Sequence, residues 1–209
     1  MISPEGVSGV AFGEAADGNP RIDPHLLEVA STVTGAPTDW AWVRQVHGSG
    51  VVRAMNPGIG DEADALFTTD PGLAVAVSVA DCLPVALLAA DAAGIAHAGW
   101  RGAVAGVVEA TIDAMSVAGH PPHTAVVGPG IGPCCFEVGT EVAEQFGDST
   151  ALTSWGTVSV DLGKWVSRSL SDLDVARIER CTHHDEGMHS FRESGTDARQ
   201  FGVAWIPRG

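Results

Sequence analysis

The chain has 209 residues, 45% hydrophobic and 18% charged, a globular composition long enough to bury a substantial core. Its formal net charge of −15 includes no basic stripe of the kind that neutralises a phosphate backbone, so nucleic acid is excluded as an expected partner. The longest apolar run, 83–90, is far short of a membrane span, the first residues lack the basic and apolar regions of a signal peptide, and four cysteines are too few for a disulfide scaffold, so a reduced, cytoplasmic protein is expected.

Residues 1–37 are Gly-rich and weakly patterned, with one helix expected over 24–32. Trp40 to Val46 alternates like a strand, Val51 to Met55 reads as its hairpin partner across Gly48-Ser49-Gly50, and 56–60 reads as a loop. Next come short apolar runs at 65–68, 73–79, 84–90 and 95–98, without strict alternation, which predicts strands covered on both faces. One helix is expected over 103–118, with Val104, Val107, Val108, Ile112 and Met115 on one face and Gly119 and Pro121-Pro122 at its end. A strand at 124–127, a rigid Gly/Pro loop at 128–133, helices at 139–146 and 161–170 (the latter capped by Asp161), and strands at 175–180 and 201–206 complete the chain. With no repeat, low-complexity tract or linker, the pattern predicts one α/β (α+β) domain over 1–209, its mixed β-sheets flanked by helices.

Three segments carry the chemistry: Gln45-Val46-His47-Gly48, Ala80-Asp81-Cys82-Leu83-Pro84-Val85 and His97-Ala98-Gly99-Trp100-Arg101-Gly102. Taken singly, His47 reads as a turn histidine, Cys82 as a small buried hydrophobe and His97 as a core histidine. Taken together, two imidazoles and one thiolate suit zinc, with a fourth position open to water or substrate as in catalytic sites. The donors lie 35 and 15 residues apart, so only a fold can gather them. Cys82 could instead be a nucleophile, with His97 or His47 as base and Asp81 as its orienter. Cys181, His183, His184 and His189 form a second candidate metal cluster, and the adjacent Cys134 and Cys135 a candidate redox pair. Arg101, Arg192 and Arg199 are candidate anion-binding residues, with a surface role as the alternative for each. For the last two that role is pairing with Glu193 and Asp197; Arg101 has the same ambiguity but leans to the site because it follows the His97 segment. The 128–133 loop lacks the Lys-Ser/Thr of a phosphate-binding Walker loop.

These segments, with Arg44, Ala63-Asp64-Ala65-Leu66, Gly130-Ile131-Gly132-Pro133-Cys134-Cys135-Phe136-Glu137-Val138-Gly139 and Cys181-Thr182, occur in order between residues 44 and 182, within a resemblance that covers about residues 6–206. Together they resemble the laccase-domain family, also called the multicopper polyphenol oxidase or YfiH-type family. The resemblance implies a single α/β domain similar in fold to cysteine hydrolases. It implies Zn2+, with copper as the alternative, held by His47, Cys82 and His97. It also implies cleavage of purine nucleosides (adenosine, inosine, guanosine, methylthioadenosine) by phosphate to base and ribose 1-phosphate, with adenosine deamination as a second activity. Asp81, Arg101 and Arg192 are then the expected catalytic residues. Asp81 would accept a hydrogen bond from a ligating histidine or transfer a proton, and the two arginines would stabilise phosphate. The expected partners are thus small molecules, a purine nucleoside and phosphate. Three departures stand out: the segment after Gly6-Val7-Ser8 is short and lacks the Asn-Leu-Gly pattern common in relatives, Glu193 follows Arg192 where relatives often carry a second Arg, and Ala198 precedes Arg199 where they carry Gly. Three rivals remain: a copper-dependent phenol oxidase, for which the clustered histidines of multicopper centres are lacking; a cysteine hydrolase; and a non-enzymatic zinc-stabilised interaction module.

Overall fold

Strands that are apolar on both faces need a cover on each side, and the fold supplies it in four layers. The computed structural model describes residues 1–207. The first half holds β1 (Val10–Phe12), α1 (His25–Thr34), β2 (Asp39–Arg44), β3 (Val51–Arg53), β4 (Gly58–Glu62), β5 (Ala65–Thr68), β6 (Leu73–Val79), β7 (Leu83–Leu88) and β8 (Ala93–Ala98). Then follow α2 (Trp100–Val104), α3 (Val107–Val117), β9 (Thr124–Val127), α4 (Thr140–Phe146), β10 (Thr150–Leu152), β11 (Val158–Val160), α5 (Leu162–Ser167), β12 (Asp174–Arg177), α6 (Phe191–Ser194) and β13 (Gln200–Ala204).

One mixed sheet has the order β1-β13-β6-β2-β4, and the other the order β12-β9-β7-β8-β5-β3. They pack face to face, burying Val10, Phe12, Val75, Val77, Ala86, Ile95 and Val126 between them. The alternate residues of the first sheet, Ala74, Ala76 and Phe201 with Trp40 and Trp42, face Leu27 and Ala30 of α1. Those of the second sheet, Val85, Leu87, Ala96 and Ala98, face Val107, Val108 and Met115 of α3 and the apolar sides of α4 and α5. Each buried Val, Leu, Ile, Phe or Met side chain contributes about 1.5–3 kcal/mol by leaving water, and each alanine less, which makes the double cover the main source of stability.

Three local expectations are corrected. Val51–Arg53 is no hairpin partner of β2; it pairs in parallel with β5 in the other sheet, so 45–50 is a crossing between sheets. Residues 56–60 are not all loop, because Gly58–Glu62 adds to β2 as an exposed parallel edge strand with a single apolar residue to reveal it. The single helix over 103–118 is two helices: it begins at Trp100 and breaks at Gly106, whose φ of +80° lies in the left-handed region that glycine tolerates. The other expected helices and strands are present with shifted ends, including the Asp161 cap, whose carboxylate accepts a 2.8 Å bond from the Lys164 amide. By contrast β1, β10, β11 and α6, each only three or four residues long, were not expected. Among the described residues, no helix is long and apolar enough to cross a membrane.

Candidate functional site

The crossing that follows β2 brings His47 to the second sheet, and Asp64 fixes it there. The Asp64 carboxylate accepts from the backbone amides of Val46 (3.2 Å), His47 (2.9 Å) and Gly48 (2.6 Å). Gln45 ties the same turn to β6, donating to Ser78 O at 2.8 Å and accepting from Ser78 N at 2.9 Å. Cys82 immediately precedes β7, and His97 is the penultimate residue of β8. The antiparallel register pairs Leu83 with Ala98 and therefore sets Cys82 beside Gly99. A Cβ at Gly99 would lie 2.9 Å from Cys82 Sγ and 3.1 Å from His47 Cδ2, so glycine is needed for the donors to converge. Among the described residues, the only non-glycine positions with left-handed backbone are His47 (φ 61°) and Asp81 (φ 85°). Such strain costs about 1–3 kcal/mol per residue and collects at functional sites.

The ligand atoms of His47, Cys82 and His97 all lie within 4.8 Å of one another, and the two rings meet edge to face at 4.9 Å. Burial alone would raise the Cys82 thiol, but hydrogen bonds and positive charge from His47 and His97 pull it down to about 6. Burial alone would lower His97, but Asp64 and the Cys82 thiolate push it up to about 9. Burial likewise opposes ionisation of Asp64, yet its bonds from His97 and the backbone amides hold it below the usual carboxylate range. His97 Nδ1 donates to Asp64 Oδ1 at 2.8 Å, which orients the ring and leaves Nε2 as its ligand atom. A thiolate and two fixed imidazoles are the donor chemistry of zinc, or of copper by affinity alone.

Sequence reasoning expected Asp81 to bond a ligating histidine. Asp64, wholly buried, does so instead. Asp81 spends its carboxylate on the Thr182 hydroxyl (2.7 Å) and the Arg192 amide (2.8 Å), tying the carboxy-terminal segment to the floor of the site. Asp64 was named only as part of the Ala63-Asp64-Ala65-Leu66 motif and given no role, because an acid between two alanines carries no chemical pattern of its own.

Above the donors opens a cavity of about 800 Å³. It is lined by His47, Cys82 and His97, by apolar side chains such as Ile131 and Leu162, and by Arg21, Arg44, Arg101, Arg192 and Arg199. The chain has eleven Lys and Arg in all, so five of them converge here, and Asp81 is the one carboxylate lining the cavity among the described residues. Three guanidinium groups sit over aromatic rings of the cavity wall: Arg101 over Trp100 (4.3 Å), Arg192 over Phe136 (4.9 Å) and Arg199 over Phe191 (5.8 Å). Arg192 Nη1 also donates to Glu137 O at 2.5 Å. Arg199 Nη1 donates to the carbonyls of Thr196 and Ala198, both at 2.8 Å, so neither Arg192 nor Arg199 is consumed by a surface carboxylate. Arg21 was not singled out, and Arg44 was named only as a motif residue without a role, for neither carries a local sign of the cavity it lines.

The second expected cluster is rearranged. Cys181 and His184 meet Cys134 and Cys135, whereas His183 packs against Trp155 and His189 is held apart by Gln200.

Two imidazoles and a thiolate stand at the floor of an arginine-lined cavity on a layered α/β frame, a donor set that could hold a metal ion. The chain belongs to the family described as multi-copper polyphenol oxidoreductase laccase, whose model matches residues 12–207. A Corynebacterium glutamicum protein named purine nucleoside phosphorylase is 37% identical over 86% of this chain and 79% of its own length. The purine nucleoside phosphorylase YfiH of Escherichia coli is 35% identical over 81% and 75%. A third phosphorylase of that name, from Streptomyces coelicolor, is 36% identical over 96% and 91%. Among solved structures, a Neisseria meningitidis protein aligns with a TM-score of 0.76 at 29% identity, covering 91% of this chain and 83% of its own. YlmD from Geobacillus stearothermophilus aligns at 0.74 and 25% identity, covering 90% and 82%.

Proposed function

We propose that this chain is a zinc-dependent purine nucleoside phosphorylase, with adenosine deamination as a second activity of the same site. The observation that carries the reading is the convergence of five arginines on one cavity in a chain of net charge −15. The names of the relatives supply the substrate class. His47, Cys82 and His97 would hold the zinc. When bound, the ion supplies Lewis-acid polarisation of a water or a substrate oxygen.

In phosphorolysis a phosphate oxygen bonds to the anomeric carbon of ribose while the bond to the purine nitrogen breaks, and the departing base takes up a proton. Arg192 and Arg101 lie on the cavity wall, where they would bind and orient the phosphate. Arg192 uses one donor on Glu137 O and keeps the rest of its five N–H groups for an anion. The apolar lining of the cavity, Trp100, Ile131 and Leu162 among it, would contact the purine. Asp81 acts as a positioning residue, holding the Arg192 backbone through its amide. A charge-assisted bond to phosphate contributes about 1.5–3 kcal/mol. Arg192→Ala should therefore weaken phosphate use by one to two orders of magnitude, at about 1.36 kcal/mol per tenfold. Base and ribose 1-phosphate release is measured against phosphate concentration, and adenosine deamination without phosphate is followed separately and should fall less. Equal loss of both would mean that Arg192 shapes the cavity and does not bind phosphate. No turnover of any purine nucleoside by zinc-loaded wild type removes the enzyme reading.

A second reading has its own observation. Cys82, His97 and Asp64 stand in the order nucleophile, base and orienting acid. Slow alkylation of Cys82 by iodoacetamide until a chelator is added supports the metal reading. Rapid alkylation of the zinc-loaded protein, with parallel loss of activity, supports the nucleophile.

A further inference from the structure

Four soft donors lie outside the cavity just described. Cys134 and Cys135 sit on a turn closed by the Cys135 and Phe136 amides, each donating to Gly132 O at 3.0 Å. Cys181 faces that turn, bridged to it through Gly130, and His184 follows one turn later. Cys134 Sγ is 3.2 Å from Cys135 Sγ and 3.7 Å from Cys181 Sγ. His184 Nδ1 is 3.5 Å from Cys135 Sγ and 4.0 Å from Cys134 Sγ. All four ligand atoms lie within 4.8 Å of one another, and none of the cysteines is in a disulfide.

Those separations can be set against a coordination tetrahedron. With zinc–sulfur near 2.3 Å and zinc–nitrogen near 2.0 Å, its edges are roughly 3.8 Å between sulfurs and 3.5 Å from sulfur to nitrogen. The Cys134–Cys181 and Cys135–His184 separations match within about 0.1 Å, the Cys134–Cys135 separation is short, the Cys134–His184 contact is long, and the remaining two separations stay within 4.8 Å. The Gly132 amide donates to Cys181 Sγ at 3.2 Å, a bond that favours a negatively charged sulfur. Three thiolates at these distances repel one another unless a cation stands among them.

We propose that Cys134, Cys135, Cys181 and His184 form a second metal site, taking a tetrahedral thiophilic divalent ion such as zinc. Four protein ligands close the coordination shell, which is the arrangement of a structural ion and not of a catalytic one. The ion would staple the 132–136 turn to the 181–184 segment. Each of those segments also meets the cavity: Phe136 lies under Arg192, and Thr182 bonds Asp81. The staple therefore stiffens the wall that carries Arg192. Of the two adjacent histidines only His184 joins the cluster, while His183 packs against Trp155.

The test is zinc stoichiometry by elemental analysis on full-length protein, purified in reductant, stripped, reloaded with zinc and desalted. Wild type should hold two zinc ions per chain, Cys82→Ser one, Cys181→Ser one and the double variant none. One ion in wild type and none in Cys82→Ser overturns the proposal, as does a disulfide joining Cys181 to Cys134 or Cys135 in the reloaded protein. Should Cys181→Ser fail to fold, alkylation of the Cys82→Ser protein decides. Zinc should protect all three remaining cysteines, and modification indifferent to zinc refutes the site. Because Cys82→Ser keeps this ion while losing the cavity's, failure of the phosphorylase reading and failure of this site are read separately.

Discussion

Replacing Asp64 by Asn changes one buried group and two site functions at once. Asp64 accepts from three backbone amides and from His97 Nδ1, with Val46 and Gly48 on Oδ2 and His47 and His97 on Oδ1. An Asn amide can offer its oxygen to one pair only. With NH2 in place of Oδ2, it faces two N–H donors, and each orphaned buried donor costs about 1–3 kcal/mol. With NH2 in place of Oδ1, His97 must accept at Nδ1, which protonates Nε2 and removes the ligand lone pair. Either orientation should weaken zinc binding at His47, Cys82 and His97 by about 10–100-fold, the usual cost of losing a group that orients a metal ligand. The assay is competition with a chromophoric chelator, run beside thermal unfolding of the metal-free variant. Zinc affinity at that site within twofold of wild type would refute the assignment of Asp64 as the group that sets the His97 tautomer.

Gly99→Ala should lower both zinc affinity at the same site and stability. The Gly99 φ of −73° suits any residue, so the effect is the close approach of the new Cβ, 2.9 Å to Cys82 Sγ and 3.1 Å to His47 Cδ2, an overpacking worth about 1–3 kcal/mol. Gly106→Ala is the control, expected to cost about 1 kcal/mol or more through its positive φ and to leave zinc affinity untouched in a chelator competition. In metal-free protein the Cys82 thiol is held down to about 6 from its usual value near 9. Its thiolate is thus present above pH 6 and lost as pH falls through it, and the alkylation rate of Cys82 should be half-maximal near that pH. A midpoint near 9 would mean that His47 and His97 do not stabilise the thiolate.

The central strands were legible because double burial leaves continuous apolar runs, and the three donors because His, Cys and His are few and chemically distinct. The edge strand Gly58–Glu62 was not, since an exposed edge held by backbone bonds needs no apolar pattern. The false hairpin at 40–55 has a related cause. Gly48-Ser49-Gly50 carries turn chemistry, but the chain it turns is recaptured by Asp64 for the other sheet. Asp64, Arg21 and Arg44 join the site only through tertiary contacts, and Cys134 and Cys135 meet His184 only because a β-bridge sets Cys181 beside Gly130. Spacing along the chain carries no trace of such meetings.

The gathering of arginines in an acidic chain also bears on how an anion arrives. Five guanidinium groups face one cavity, while the chain as a whole carries a formal charge of −15. At low ionic strength an approaching phosphate feels the whole molecule first and is repelled, and only inside the mouth does the field reverse. At about 0.15 M salt the Debye length is roughly 8 Å, short enough to silence the distant carboxylates while the arginines a few ångströms away still act. Moderate salt should then quicken the arrival of phosphate rather than slow it, the reverse of ordinary electrostatic steering. The barrier lies outside the cavity and the attraction within it, so ionic strength becomes a dial on encounter and leaves the grip of the bound anion comparatively unchanged.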